Sequence, residues 1–265
     1  MDRERSAAVA MLGLPGFVVL AVSEHDGEVE QAIETTADLV GCVECGAVAE
    51  LHNRRPVWVR DLPSAGRPVT LVWVKRVWRC PHRWCPRRTW TETSPAIAAR
   101  ASLTERARAE ICRRVGEDGA PVAAVAREFG VGWRTAMGAV REHGQPRVDD
   151  PARLAGVRAV GLDETAFQAA SATRPTRFVT GIVDLTTHAL GPTRGPARLL
   201  DVIADRSGSA LVSWMSERDP GWRTRVGVAA LDPFSRVRLG AAYRAAARGA
   251  RAGRLSCGAP RIRRG

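Results

Sequence analysis

Lysine is almost missing from this chain: Lys75 is the single lysine among 40 basic residues. That bias reads as GC-rich coding and carries no functional meaning. Acidic residues are missing altogether after Asp232, where nine arginines follow. Long apolar runs are missing too. The stretch around Met11–Val22 is interrupted by Gly13, Pro15 and Gly16, and falls short of the ~20 residues a bilayer requires. No charged leader with a small-residue cleavage site frames a signal peptide. A cytoplasmic location is therefore expected, and in that compartment a chain with six cysteines points to a metal site and not to disulfides.

What is present is a chain of 265 residues, 45% hydrophobic. That length suits one or two domains, and that apolar content excludes full disorder. The net charge of +12 favours a polyanionic partner, most simply nucleic acid. The charge is unevenly spread. Residues 1–49 carry 2 basic and 9 acidic residues, whereas residues 50–115 carry 15 basic and 5 acidic. The excess lies in the middle and at the end of the chain, and each part needs its own explanation.

Local patterns divide the chain. Residues 1–40 read as a small N-terminal α/β segment, with a buried strand over Phe17–Val22 and a turn at His25–Gly27. Residues 41–92 form a cysteine-bounded module containing a hairpin, Val57–Leu62 and Val69–Trp78, around Pro63-Ser64-Ala65-Gly66. Residues 102–144 read as helices. Ser102 with Glu105 forms a capping-box pattern, and Val122–Phe129 and Trp133–Glu142 flank Gly130-Val131-Gly132. Gln145–Pro151 reads as a linker. From 152 onward, strands are expected at Val157–Leu162, Arg177–Leu185, Leu199–Ile203 and Val226–Leu231. A helix, Ser209–Glu217, carries Ala210, Leu211, Trp214 and Met215 on one face. This is the composition of an α/β sheet domain. Residues 235–265 have no clear period and read as a disordered basic tail.

Three constellations carry chemistry. Cys42 and Cys45, then Cys80 and Cys85, place two close cysteine pairs on either side of the hairpin, which suits tetrahedral Zn²⁺. His82 is an alternative ligand, Cys112 reads as a small core residue, and Cys257 lies in the tail. The segment 121–140 places two short helices around a Gly turn. Val122, Val125, Ala126 and Phe129 share one face, and Val131, Ala136 and Val140 are set to pack on it. Trp133, Arg134 and Thr135 then stand at the start of a recognition helix, with Arg141 two turns on, as in a helix-turn-helix that reads DNA. The flanking basic zone Arg100–Arg114 and Arg87 and Arg88 add to that reading. Finally, Asp163 and Asp232 each follow an apolar strand ending in Leu. Two such strands set side by side hold Mg²⁺ through paired carboxylates, although Asp at a strand end is also an ordinary turn residue.

In this order the parts resemble the ISL-three group of bacterial insertion-sequence transposases. The resemblance rests on Gly41–Gly46, Arg79–Glu92, Val125–Thr135, Val160–Glu164 and Ala229–Phe234. It implies a zinc ribbon (41–92), a helix-turn-helix (102–144) and a partial RNase H-like core (152–234), an α/β multi-domain architecture. It further implies an Asp, Asp, Glu metal site whose first two members match Asp163 and Asp232, and double-stranded terminal inverted-repeat DNA as substrate. The family pattern stops after Phe234, and no acidic residue follows to serve as the third carboxylate. The chain is thus expected to be a truncated or frameshifted, inactive transposase that still binds DNA. Its expected protein partners are full-length transposase or another copy of itself. The alternative is a zinc and helix-turn-helix regulator that inhibits the full-length enzyme by occupying its DNA ends.

Overall fold

The computed structural model describes residues 8–186 and 197–231. It divides into two compact units, Met1–Asp149 and Asp150–Gly265.

The first unit opens with a helical turn, α1 (residues 8–12). The strands β1 (Phe17–His25), β2 (Glu28–Thr35), β3 (Glu50–Ser64), β4 (Arg67–Arg79) and β5 (Thr89–Thr91) follow. They form one sheet in the order β1-β2-β4-β3, with β5 also paired to β4. Read from sequence, residues 1–40 and 41–92 are successive segments. In the fold β2 runs parallel to β4, Val29 opposite Val69 and Ile33 opposite Trp73, so both contribute to one sheet. The segment 28–35 has alternating Val29 and Ile33 as buried positions, but its glutamates mask that alternation in composition. The expected hairpin is present and longer than its apolar stretch: β3 pairs with β4 from Glu50↔Arg79 to Ser64↔Arg67. Leu12, Phe17, Ile33, Val59, Leu71, Trp73 and Ile97 make its core. Phe17 meets Trp73 edge-on at 5.5 Å between ring centroids, a favoured aromatic geometry.

Three helices follow: α2 (Glu105–Gly116), α3 (Val122–Glu128) and α4 (Trp133–Val148). The cap of α2 is Thr104, whose hydroxyl accepts from Ala107 N at 3.2 Å, and not Ser102. Ser102 is used otherwise, its carbonyl accepting from Arg60 N at 2.9 Å. The expected linker over 145–151 is also displaced. Helix α4 continues through Pro146 to Val148, although an interior proline removes a backbone donor and crowds the preceding turn. Beyond it Asp149 N still donates to the Gln145 carbonyl at 2.9 Å. Leu103, Ala107, Ile111, Val125, Ala126, Phe129, Ala136 and Ala139 bury one another, with Cys112 beside them as expected. Gly130 adopts φ +64° between α3 and α4, and a Cβ there would lie 3.0 Å from the Arg60 guanidinium. Only glycine accepts both the left-handed backbone and that approach.

The helices are fastened to the sheet by one buried carboxylate. Asp61, 2% exposed, accepts from Thr104 Oγ1 at 2.6 Å and from Arg106 Nε at 2.9 Å. Arg106 also donates to the carbonyls of Leu12 and Gly13, at 2.7 and 2.9 Å.

The second unit contains β6 (Ala159–Gln168), β7 (Arg177–Asp184), β8 (Arg198–Ala204), α5 (Gly208–Ser216), α6 (Pro220–Arg225) and β9 (Val228–Leu231). Its sheet runs β8-β7-β6-β9. The first three strands form an antiparallel meander, and β9 returns parallel to β6. Val160, Leu162, Ile182, Leu211, Trp214, Met215 and Trp222 form its core, so the expected helix face is in place apart from Ala210. Helix α6, capped by Asp219 on Trp222 N at 2.9 Å, is an addition to the sequence reading. Gly161 has a packing reason: a Cβ there would lie 2.7 Å from both Val183 and Leu185 side chains. Among the described residues no helix is long and apolar enough to cross a membrane. The tail, residues 235–265, lies outside the described residues.

Replacing Asp61 with alanine strands the buried Thr104 hydroxyl and removes the partner of Arg106. Arg106 is one quarter exposed, so the expected loss is about 2 kcal/mol, below that of a fully buried pair. Urea unfolding of the variant measures it, and an unchanged midpoint would refute the fastening role.

Candidate metal centre and nucleic-acid interface

The first cysteine pair sits in a tight loop. Cys42 N donates to the Ala47 carbonyl and Gly46 N to the Cys42 carbonyl, both at 2.8 Å. The second pair is closed by Cys85 N donating to the His82 carbonyl at 3.1 Å and Cys80 N to the Arg88 carbonyl at 3.0 Å. Pairing of Glu50 with Arg79 brings the loops at the two strand ends together. The four Sγ atoms of Cys42, Cys45, Cys80 and Cys85 lie within 4.8 Å of one another. Cys42–Cys85 and Cys45–Cys80 are 3.8 and 3.5 Å apart. Tetrahedral zinc with Zn–S bonds of about 2.3 Å separates its sulfurs by about 3.8 Å. The donor set therefore fits Zn²⁺ in number, type and spacing, and its four residues would hold it as a structural ion. His82 is not a member of the quartet; its Nδ1 lies 3.7 Å from Cys45 Sγ.

The thiols are not equivalent. Burial raises Cys80 to about 12, reinforced by its three cysteine neighbours, and burial raises Cys85 as well. Burial also opposes ionisation of Cys42, but hydrogen bonds from the backbone at Glu44 and Cys45 outweigh it and bring Cys42 to about 7. Crowded thiols resist becoming crowded thiolates, and a dication reverses that preference. Protons compete with metal for these sulfurs, so affinity falls as pH drops.

The helix-turn-helix presents its expected face. Val125, Ala126, Phe129 and Ala136 are buried, with Val122, Val131 and Val140 packed against them. Trp133 remains 53% exposed at the first turn of α4. Arg134 and Arg141 are exposed and Thr135 half-buried. Arg134, Gly138 and Arg141 follow one another on one helix face, with nothing beside Gly138 to obstruct a groove.

Ion pairing separates structural arginines from available ones. Of the fifteen basic residues in 50–115, eight have carboxylate partners. Arg60, Arg67, Arg76 and Arg79 pair with Glu28, Glu24, Glu34 and Glu50. Arg106, Arg108, Arg113 and Arg114 pair with Asp61, Glu142, Glu110 and Glu128. The basic zone Arg100–Arg114 is thus largely neutralised inside the unit, which corrects its reading as a DNA-facing run. Arg87, Arg88, Arg134 and Arg141 have no carboxylate partner among the described residues. Sequence reasoning passed over Arg54, Arg55, Arg83 and Arg127, which are exposed and equally without a carboxylate partner among the described residues.

In the second unit Asp163 lies within β6, not at its end. Leu162 is the last residue of β6 paired with β9, opposite Leu231. Asp163 is the next and is exposed, while β6 continues against β7 to Gln168. Asp232, next after Leu231, lies outside the described residues. Two other aspartates of this unit are in structural use: Asp184 pairs with Arg198 at 3.0 Å, and Asp201 accepts from Trp214 Nε1 at 2.6 Å.

A four-thiolate ribbon joined to a helix-turn-helix with an exposed second helix is the arrangement of a DNA-binding protein. Residues 38–85 match the zinc-finger of transposase IS204/IS1001/IS1096/IS1165, and residues 92–144 match the helix-turn-helix domain of transposase family ISL3. Both matches support an ISL3-family transposase. No curated protein matches the chain.

Changing Cys42 and Cys80 together to serine should remove zinc from the purified chain, from about one ion per chain to none. Metal analysis reads this directly, and undiminished zinc would sink the assignment of the quartet.

Proposed function

We propose that this chain binds the terminal inverted repeats of an insertion sequence through its first unit. The single observation that carries the reading is the division of charge. Carboxylates hold four arginines of the sheet and four of α2, while those at the second cysteine loop and the start of α4, together with Arg54 and Arg55 on β3, stay exposed and unpaired. Unpaired arginine is what a phosphate backbone and a guanine edge both require. Trp133, Arg134, Thr135 and Arg141 would enter the major groove, and Arg87 and Arg88 would meet phosphates alongside.

We infer that the second unit is an RNase H-like core with Asp163 and Asp232 as its carboxylate pair. The parallel register ending at Leu162↔Leu231 supports that pairing, since Asp163 and Asp232 are the residues that follow these two in the sequence. Asp163 is exposed and has no bonded partner among the described residues, which suits a carboxylate kept for an external cation. Mg²⁺ bound there would supply charge for the phosphodiester cut and join of a complete Asp, Asp, Glu site. These 265 residues hold no acidic residue after Asp232, so this polypeptide is proposed to bind without cutting. That also favours a second reading, in which it blocks DNA ends against a full-length transposase.

Arg134→Ala and Arg141→Ala should each weaken inverted-repeat duplex binding about tenfold and lower the salt slope by about one. Fluorescence anisotropy across a salt series measures both, and unchanged slopes would place the interface elsewhere. Incubation of the chain with Mg²⁺ and inverted-repeat duplex should leave the DNA intact. Cleavage that disappears in Asp163→Ala would overturn the inactivity and confirm the carboxylate.

A further inference from the structure

The second cysteine loop carries a feature that duplex binding does not use. Trp84 is 73% exposed, the most exposed of the large aromatic side chains on the first unit. It is not loose. Its ring lies on the His82 ring, 4.9 Å between centroids and 24° between planes. His82 in turn faces the cysteine quartet, with Nδ1 3.7 Å from Cys45 Sγ, a contact that ties the orientation of its ring to the metal-ligating loop. The result is a two-ring stack, anchored at one end by the metal ligands and open at the other.

The surroundings define what the open face accepts. Residues 80–88 contain Arg83, Arg87 and Arg88 and no acidic residue. All three arginines are exposed and lack a carboxylate partner among the described residues. A flat π face beside three unpaired cations suits a base with its flanking phosphates. Bases inside a duplex are already stacked on each other, and only an unpaired base or a strand end has a free face to offer.

We propose that the His82–Trp84 stack is a platform for an unpaired nucleotide, binding single-stranded DNA or the frayed end of a duplex. The platform rests on the DNA-binding reading above but is separable from it, because α4 serves the duplex and Trp84 serves the single strand. Recognition is by stacking and so tolerates any base.

The test uses the full zinc-loaded chain and fluorescence anisotropy with two labelled probes. One is oligothymidine of about 12 nucleotides, within the span of known single-strand sites; the other is a blunt inverted-repeat duplex. Trp84→Ala should weaken oligothymidine binding about tenfold and leave duplex binding and zinc content unchanged. Trp84→Phe should restore most of the loss, since it keeps a π face. Arg134→Ala should show the reverse, losing duplex and keeping the single strand. Oligothymidine that does not bind, or binds Trp84→Ala as tightly as the parent chain, overturns the platform. So does an equal loss on both probes, which would make Trp84 an ordinary duplex contact. If duplex binding is absent while oligothymidine binding depends on Trp84, the platform stands and the inverted-repeat reading falls.

Discussion

Asp61 is the carboxylate on which the first unit depends. A carboxylate removed from water is costly unless every oxygen is used. Here its oxygens take the Thr104 hydroxyl and the Arg106 guanidinium. Thr104 is also the cap of α2, and Arg106 also reaches the carbonyls after α1. One buried charge therefore connects the hairpin, the entry turn and the first helix of the DNA-binding bundle. The Arg60–Ser102 and Thr104–Arg60 backbone bonds, each 2.9 Å, run beside it. The cysteine loops and the recognition helix belong in consequence to one compact unit.

The same economy of charge explains how a basic chain avoids binding DNA with every arginine. The acidic N-terminal stretch supplies Glu24, Glu28 and Glu34, which hold arginines of the hairpin. Helix α2 is balanced by Asp61, Glu110, Glu128 and Glu142. The exposed arginines left without a carboxylate among the described residues include those of the second cysteine loop, those of α3 and α4, and Arg54 and Arg55 on β3. Net charge announces a polyanion, but the location of the contact follows from which carboxylates the fold spends internally.

The parts with local signatures were legible in the sequence. Two cysteine pairs around a turn-bearing apolar hairpin specify a thiolate site, because ligand spacing and hairpin closure are short-range facts. Val125, Ala126 and Phe129 with Gly130 mark the helix-turn-helix for the same reason. Non-local features were hidden. The parallel pairing of β2 with β4 joins residues some forty positions apart, and no local pattern encodes it. The partners of Arg106, Arg108 and Arg114 come from β3, α4 and α3, so a run that reads as basic becomes neutral only in three dimensions. Asp163 was readable as a residue following apolar Val160 and Leu162. Its place inside a longer β6 was not, because Thr165, Ala166 and Phe167 are exposed and owe their strand conformation to pairing with β7.

The central claim is that one metal-organised unit presents two DNA contacts, the second cysteine loop and the start of α4. Hydroxyl-radical footprinting of inverted-repeat DNA tests it most directly, comparing the zinc-loaded chain with the chain after chelation. Two separate protected patches that weaken together on zinc removal are predicted. A single patch that persists unchanged without zinc would contradict the account.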